Sequence, residues 1–223
     1  KADLGGTCLN CGCIPTKALL ASAEKFREIK EAEVFGLNVS AVTVDLSKMV
    51  QRKNTIVSQL RNGIKYLMKK NKITVFSGNA SFVDNQTILV NGKERVQAEK
   101  IIIATGSVPK KLDFKGDSSR IIYSDGILNL EKKPKNLVVI GGGVIGIEFA
   151  QLFNSLDTKV TVIELLDRIL FNFDCEISAL LHKDLNTKGI NILTGSKVEE
   201  ICEISNGSLL KVSNKNCELF EIE

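Results

Sequence analysis

The sequence is short of the features that mark membrane and secreted proteins. No apolar run approaches the roughly 20 residues that a membrane-spanning helix needs. The N-terminus lacks the basic stretch and apolar stretch of a secretory signal peptide, and it begins at Lys1 rather than at methionine. We therefore expect a cytoplasmic protein with no membrane partner, and a chain that begins inside a longer protein.

A large excess of charge of one sign is also missing. The net charge is only +4, and the lysines are scattered among glutamates and aspartates. Domains that bind nucleic acids usually cluster their basic residues as well as carrying an excess of them. The charge pattern therefore predicts no nucleic-acid partner. With 43% hydrophobic residues, the 223-residue chain has the composition of a globular protein with one large domain or two small ones.

Hydrophobic periodicity divides the chain into two α/β units. In the first unit, apolar residues recur every three or four positions over 14–34 and 46–68, which predicts two helices. Short apolar stretches then predict strands at 73–78, 80–83, 87–90 and 100–105, with turns at Asn85 and at Asn91-Gly92. Residues 107–134 are polar and irregular. From Asn136 the order is strand, glycine turn, helix and strand, which implies parallel pairing with a right-handed crossover.

Three of the six cysteines are crowded together as Cys8, Cys11 and Cys13. In a cytosolic protein such a cluster points to redox chemistry or metal binding rather than to structural bridges. Residues five apart in a regular helix are separated by about 7.5 Å of rise alone, whereas a disulfide needs Cα atoms within about 7 Å. Cys8 and Cys13 can therefore pair only if the chain between them leaves helical geometry, and Asn10 and Gly12 favour such a distortion.

Spacing alone leaves three interpretations of this cluster open. The first is a redox disulfide between Cys8 and Cys13. The second is zinc bound by three sulfurs, which needs a fourth ligand that neither His182 nor the distant cysteines supply at a recognisable spacing. The third is a set of inert buried thiols. Cys13 lies at the start of a predicted helix with Lys17 one turn later, and both features favour a thiolate. We predict no metal site.

A second motif fits the pattern G-x-G-x-x-G between a strand and a helix, and it precedes Glu164 at the end of the next strand. Gly141 permits the tight turn, Gly143 lets the backbone approach a pyrophosphate, and Gly146 lets the helix pack on the strand. Glu164 is placed to accept hydrogen bonds from an adenosine ribose and to repel a 2′-phosphate. The motif thus predicts NAD rather than NADP, although Arg168 leaves NADP open.

Both motifs resemble one known family. The stretch GGTCLNCGCIPTKALL, residues 5–20, resembles the active-site signature of the flavin-dependent disulfide oxidoreductases. The stretches GGGVIGIEFA and VTVIELLDRIL resemble the NAD domain of the dihydrolipoamide dehydrogenases within that family. The resemblance implies that Cys8 exchanges with a dithiol or disulfide substrate, and that Cys13 and Lys17 lie beside the flavin. Cys11 departs from the family pattern and introduces a competing Cys8–Cys11 bridge.

The resemblance also assigns residues to two cofactors. FAD is expected against a strand glycine and a strand-to-loop exit, at Gly78, Thr105, Gly106 and Ser107. NAD is expected on the glycine turn, on the ribose-binding carboxylate and at the adenine site, at Gly141, Gly142, Gly143, Val144, Ile145, Gly146, Glu164 and Val198. The family brings the carboxylate matching Glu148 to the lysine matching Lys17. Asp157 stands where the family usually has glycine, and Phe171 where it usually has proline.

The architecture implied is α/β, with FAD/NAD(P)-binding, Rossmann-like domains and truncation at both ends. Residues 1–132 would form an FAD-binding domain without its N-terminal βαβ unit, and residues 133–223 a truncated NAD-binding domain. The activity implied is oxidation of dihydrolipoamide by NAD through FAD and a Cys8–Cys13 disulfide. The partners implied are the lipoyl domain of a 2-oxo acid dehydrogenase or glycine-cleavage complex and, in the full-length enzyme, a second subunit.

Two alternatives remain from the sequence. One is a sibling disulfide reductase of the glutathione- or mercury-reducing kind, which tends to use NADPH and is disfavoured by Glu164. The other is a non-catalytic nucleotide-binding fragment. The chain has one glycine turn rather than two, and nothing in it matches the family's His-Glu base or dimerisation domain, since His182 lies in the predicted NAD domain. We therefore expect the chain alone to be inactive.

Overall fold

A computed structural model describes residues 3–110, 112, 114–216 and 218–222. The helices are α1 Gly6–Cys11, α2 Cys13–Lys30, α3 Leu46–Lys70, α4 Ser124–Ile127, α5 Val144–Ser155 and α6 Cys175–Thr187, with a 3-10 turn at Ala32–Phe35. The strands are β1 Ala80–Phe82, β2 Thr87–Val90, β3 Glu94–Gln97, β4 Lys115–Asp117, β5 Asn136–Ile140, β6 Lys159–Ile163, β7 Asn191–Leu193, β8 Lys197–Ile204, β9 Gly207–Ser213 and β10 Leu219–Ile222. Among the described residues, no helix is both long enough and apolar enough to cross a membrane.

The two long N-terminal helices, α2 and α3, confirm the prediction made from hydrophobic periodicity. Helix α3 begins after Asp45, whose carboxylate accepts a hydrogen bond from the Lys48 amide at 3.0 Å. Its buried residues Leu46, Val50 and Val57 are four and seven positions apart, so they lie on one face, and this helix packs against α2. The helix predicted over 14–34 ends earlier, because α2 gives way to the 3-10 turn.

The described strands form three sheets, in the orders β1-β2-β3, β10-β9-β8-β4 and β5-β6-β7. The first is antiparallel, and its predicted turn is confirmed, since Asn91 and Gly92 have φ values of 51° and 69° between β2 and β3. Two left-handed residues in succession suit the twist of a tight hairpin. The third sheet is parallel throughout, as the strand-helix-strand pattern predicted.

One hydrophobic core joins the cysteine-bearing helix to the glycine-turn helix. Ala150 and Phe153 on α5 are fully buried against Val160 on β6. Leu19 and Ala23 on α2 belong to the same core, so α2 packs directly on α5. As a result the helix that begins at Cys13 and the helix that begins after the glycine turn share one apolar interface.

Two of the predicted strands are wrong. Residues 73–78 and 100–105 have no strand pairing in the part of the chain that the structure describes. Ile102 and Ile103 are 90% and 70% exposed, although their apolar pattern is typical of a buried strand. A strand needs hydrogen bonds from a neighbour, and an apolar run alone cannot supply them.

The segment predicted to be irregular, 107–134, contains two short elements. Strand β4 pairs in parallel with β8, and α4 follows seven residues later. Elements of three and four residues are too short for periodicity to reveal. Strand β4 lies before the domain boundary predicted at 132/133 and joins a sheet formed by strands from beyond it. The boundary itself stays a prediction.

Candidate functional site

The chain between Cys8 and Cys13 leaves helical geometry, as a Cys8–Cys13 pair requires. Helix α1 ends at Cys11, and Gly12 has φ −131° and ψ −121°, before α2 begins at Cys13. A Cβ atom at Gly12 would lie 3.0 Å from the Cys8 Cα, so glycine permits this close approach. The Thr16 amide and hydroxyl both donate to the Gly12 carbonyl, at 3.2 and 2.8 Å, which secures the start of α2.

The two thiols interact with each other. Cys8 and Cys13 are both free and exposed. A hydrogen bond with Cys8 raises the pKa of Cys13 above its ordinary value, with smaller contributions from burial and from the charge of Cys8. A backbone hydrogen bond and the Lys17 ammonium act in the opposite direction. The helix start and Lys17 therefore lower the pKa of Cys13, as expected, but the contributions that raise this pKa are larger, the hydrogen bond with Cys8 first among them.

The third cysteine of the cluster, Cys11, has a different environment. Cys11 is half-buried and packs against the main hydrophobic core, whereas Cys8 and Cys13 face solvent. In the described ranges, no group of three or more His, Cys, Asp and Glu side chains is arranged to bind a metal. Cys217 lies outside the described residues.

An ion pair links the cysteine region to the helix after the glycine turn. The Lys17 ammonium on α2 donates to the Glu148 carboxylate on α5. This hydrogen bond raises the pKa of Lys17, and partial desolvation acts in the opposite direction. The proximity implied by the family resemblance is therefore observed. Both side chains remain accessible, Lys17 at 60% and Glu148 at 27%, so the pair lies at the surface beside the two thiols.

The glycine turn has the geometry that each glycine was expected to allow. Gly141 has φ +111°, a conformation that side chains disfavour. A Cβ at Gly146 would lie 2.0 Å from the Gly141 carbonyl oxygen, whereas a Cβ at Gly143 would meet nothing within 4 Å. The turn therefore has no room for a side chain at Gly146, whereas the space beside Gly143 is open. Val144 and Ile145, the first residues of α5, are exposed at this open side.

Glu164 is bonded to the glycine turn itself. Its carboxylate accepts from the Gly142 amide at 2.6 Å and from the Leu166 amide at 2.8 Å. Its backbone carbonyl accepts from the Ser196 amide at 2.9 Å, just before β8 begins. Val198 on β8 is buried in a second hydrophobic core, which residues of β6, β8 and β9 form. Glu164 therefore connects the turn, the loop after β6 and the start of β8.

Arg168 is held by its own loop. Its Nη2 donates to the Phe171 carbonyl at 3.0 Å, and its guanidinium lies 4.7 Å from the centre of the Phe171 ring. It lines an open groove of about 640 Å³ with residues of α6, including His182. These contacts hold the Arg168 guanidinium against Phe171 of the same loop.

The segments expected to contact a flavin lie outside the helical core. Gly78 has φ +152°, and the Asn91 side chain holds its neighbours by accepting from the Asn79 amide at 2.9 Å and donating to the Ser77 carbonyl at 3.1 Å. Thr105, Gly106 and Ser107 lie in an exposed, irregular stretch, with Gly106 at φ +77°. The sequence indicated Asn91 only as a turn residue. The hydrogen bonds that its side chain forms on both sides of Gly78 were not predicted.

Comparisons with known proteins gave matches over nearly the whole chain. A family model described as pyridine nucleotide-disulphide oxidoreductase matches residues 2–222. Dihydrolipoyl dehydrogenases from Chlamydia pneumoniae and Bacillus subtilis are 45% and 43% identical to the chain over 95% of it, and they are covered to 46% and 47% of their own lengths. An HOCl-induced flavoprotein disulfide reductase from Escherichia coli superposes with a TM-score of 0.78 at 30% identity, over 99% of this chain and 47% of that one.

The predicted fold class and family resemblance are confirmed by these matches. The chain spans about half the length of the curated relatives it matches. The family description names a pyridine nucleotide, and the similar solved structure is a flavoprotein, so the family implies both kinds of cofactor.

Proposed function

Because this chain belongs to the pyridine nucleotide-disulphide oxidoreductase family, we propose that it is the part of an NAD-dependent dihydrolipoamide dehydrogenase that carries the redox cysteines. The observation that supports this most directly is the interruption of the helix at Gly12, which leaves Cys8 and Cys13 in contact and exposed. The names of the similar dehydrogenases favour dihydrolipoamide as the dithiol.

The residues around the glycine turn fit a pyridine nucleotide. Gly143 leaves open space at the N-terminus of α5, where backbone amides and the helix dipole favour phosphate groups. Glu164, at the end of β6, favours NAD over NADP because its carboxylate would repel a 2′-phosphate. We propose that residues 141–146, Glu164 and Val198 bind NAD.

For FAD, the fit rests on the exposed stretch that contains Thr105, Gly106 and Ser107, and on the accessible Lys17–Glu148 pair beside Cys13. Gly78 would complete that site. When bound, the flavin would supply two-electron transfer between the thiols and the nicotinamide.

The chain's own cysteines would perform the thiol exchange. A thiolate of the dithiol substrate attacks the sulfur of Cys8, the Cys8–Cys13 bond breaks, and Cys13 leaves as a thiolate. The Lys17 ammonium stabilises that leaving group, since its charge lowers the pKa of Cys13. The second substrate thiolate then attacks the mixed disulfide and releases the oxidised substrate, so Cys8 and Cys13 hold the two electrons.

The remaining assignments of the whole enzyme are part of the same proposal. Residues 1–132 and 133–223 would belong to its FAD-binding and NAD-binding domains, and the whole enzyme would be a homodimer that oxidises lipoyl domains of a 2-oxo acid dehydrogenase or glycine-cleavage complex. The exposed Ile102 and Ile103 favour contact with further protein in that enzyme.

Peptide mapping and turnover test the proposal together. Oxidised protein, alkylated without reduction and digested, should contain a Cys8–Cys13 bridge. A dominant Cys8–Cys11 bridge, or one equivalent of bound zinc, would overturn it. With FAD, NAD and dihydrolipoamide supplied, the full-length protein should turn over, and the 223-residue chain should not. Equal activity of the two would show that the chain needs no further domain.

A further inference from the structure

The short helix that carries Cys8 packs on the main hydrophobic core through half-buried Cys11 but contributes no buried side chain to that core. Helix α1 contains no fully buried residue, and its N-terminus at Gly5 has no side-chain cap. Helix α2, which carries Cys13, is anchored by Leu19 and Ala23 in the main core. A six-residue helix without buried side chains is marginal by itself. Polar contacts must therefore contribute much of what keeps Cys8 in place.

Those polar contacts converge on Asn10. Arg61 on α3 donates to the Asn10 Oδ1 through both Nε and Nη2, at 3.0 and 2.7 Å. The Asn10 Nδ2 donates to the carbonyls of Leu4 and Gly6, at 3.0 and 2.9 Å. The same guanidinium forms an ion pair with Asp3, at 3.2 Å. Arg61 thus holds the start and the end of α1 on α3.

We propose that Arg61 is a positioning residue for the redox pair. By holding Asn10, it fixes the helix of Cys8 relative to that of Cys13 and so favours the disulfide over the dithiol. A disulfide forms only within narrow limits of distance and torsion, so the freedom of one cysteine relative to the other alters its stability. The inference rests on the proposed function, in which Cys8 and Cys13 are the redox pair.

The geometry of Arg61 suits this role better than a lysine would. Its planar guanidinium directs two N–H groups at one oxygen and a third at a carboxylate, which an ammonium on a flexible stem reproduces only in part. Its side chain is 26% exposed, so these bonds are partly shielded from water. Arg61→Lys should therefore reduce the preference for the disulfide in part, and Arg61→Ala should remove the contribution of this side chain.

The test is the thiol-disulfide equilibrium of the 223-residue chain with reduced and oxidised glutathione. After acid quenching and alkylation, the Cys8–Cys13 peptide pair is quantified by mass spectrometry. Arg61→Ala and Asn10→Ala should each lower the equilibrium constant for disulfide formation by roughly tenfold, which corresponds to about 30 mV. The equilibrium constant of Arg61→Lys should lie between the constants of these two variants and that of the wild type. The double variant Asn10→Ala/Arg61→Ala should lower the constant by less than the product of the two single effects, because both substitutions remove the Arg61–Asn10 contact.

Arg52→Ala is the matched control. Arg52 is another arginine of α3, but it donates to the Ala18 carbonyl at 2.9 Å on α2, which the core already anchors. Arg52→Ala should keep the equilibrium constant for disulfide formation within about twofold of the wild-type value, even if the substitution changes the stability of the fold. An unchanged constant in Arg61→Ala and Arg61→Lys, with the bridge still forming, would overturn the positioning role alone. Absence of a Cys8–Cys13 bridge in the wild type would instead overturn the proposed function.

Discussion

Lys30, the last residue of α2, is paired with Asp157 just after α5, with 2.7 Å between Nζ and Oδ1. The Lys17–Glu148 pair joins the same two helices near their first turns. Helices α2 and α5 therefore run in the same direction and are bridged near both ends, with their shared apolar core between the bridges. Asp157 has φ +63°, so it keeps the left-handed turn at a position where the family resemblance led us to expect glycine.

Substitutions at Asp157 should separate backbone strain from charge. Asp157→Ala loses the ion pair and places alanine in the left-handed region, which should cost about 1–2 kcal/mol. Asp157→Gly also loses the pair but relieves the strain, so it should be within about 0.5 kcal/mol of the wild type. Urea unfolding measures both. If alanine and glycine proved equally stable, strain at Asp157 would be negligible.

Gly146 and Gly143, both in the glycine turn, should respond differently to the same added methyl group. Gly146→Ala places Cβ 2.0 Å from the Gly141 carbonyl oxygen and should destabilise the chain by about 3 kcal/mol. Gly143→Ala meets no atom within 4 Å, so its stability should change by less than about 0.5 kcal/mol.

Nucleotide affinity distinguishes the two glycines further. The Gly143→Ala methyl group would occupy the space left for phosphates, so NADH affinity should fall by about tenfold or more in a protein that is otherwise stable. Fluorescence titration with NADH and urea unfolding are the measurements. Unchanged NADH binding in a folded Gly143→Ala variant would place the nucleotide elsewhere.

The turn was predictable from the sequence because its constraints are local. Gly141 and Gly146 each answer a steric demand within six residues, and the structure meets both demands as expected. Gly143 has open space beside it, and its approach to a pyrophosphate stays a prediction. Gly12 was likewise predictable as a break, because a Cys8–Cys13 bond is incompatible with regular helix.

Contacts between distant segments were not predictable from local patterns. Arg61 and Asn10 are 51 positions apart, and an arginine on an amphipathic helix is indistinguishable from a solvated one until the packing of α1 is known. Lys17 and Glu148 are 131 positions apart and were linked only through the family resemblance. The strand predicted at 100–105 failed for a related reason, since pairing depends on a partner that periodicity does not report.

Substitution of Glu164 should affect both the turn and the choice of nucleotide. Glu164→Gln replaces one acceptor oxygen with an NH₂ group that faces a backbone amide, so we expect a loss of stability of about 1–3 kcal/mol. The preference for NADH over NADPH should narrow by about 1–2 kcal/mol, roughly tenfold, because the carboxylate charge is removed.

Asp167→Asn is the control for Glu164, because it removes the same charge from an exposed position of the same loop. It should leave discrimination between NADH and NADPH unchanged. Equal discrimination by wild type and Glu164→Gln, measured by titration with both nucleotides, would show that Glu164 supports the turn without selecting the cofactor.

The pKa of Cys13 should move in opposite directions when its two polar neighbours are changed. Cys8→Ala removes the hydrogen bond that is the largest cause raising this pKa, so the pKa should fall. Lys17→Met removes an ammonium that lowers it, so the pKa should rise further. Since only the thiolate reacts, alkylation of Cys13 should begin at lower pH in Cys8→Ala and at higher pH in Lys17→Met than in the reduced wild type.

The rate of iodoacetamide labelling at Cys13, followed by mass spectrometry between pH 6 and about pH 10, measures this order. Glu148→Gln serves as the control for Lys17→Met, because it breaks the same ion pair but keeps the ammonium. If loss of the pair merely loosened α2, Glu148→Gln and Lys17→Met would shift the profile alike. If the ammonium acts by its charge, only Lys17→Met moves the onset of labelling to higher pH, because Glu148→Gln leaves the lysine charged and free to approach Cys13.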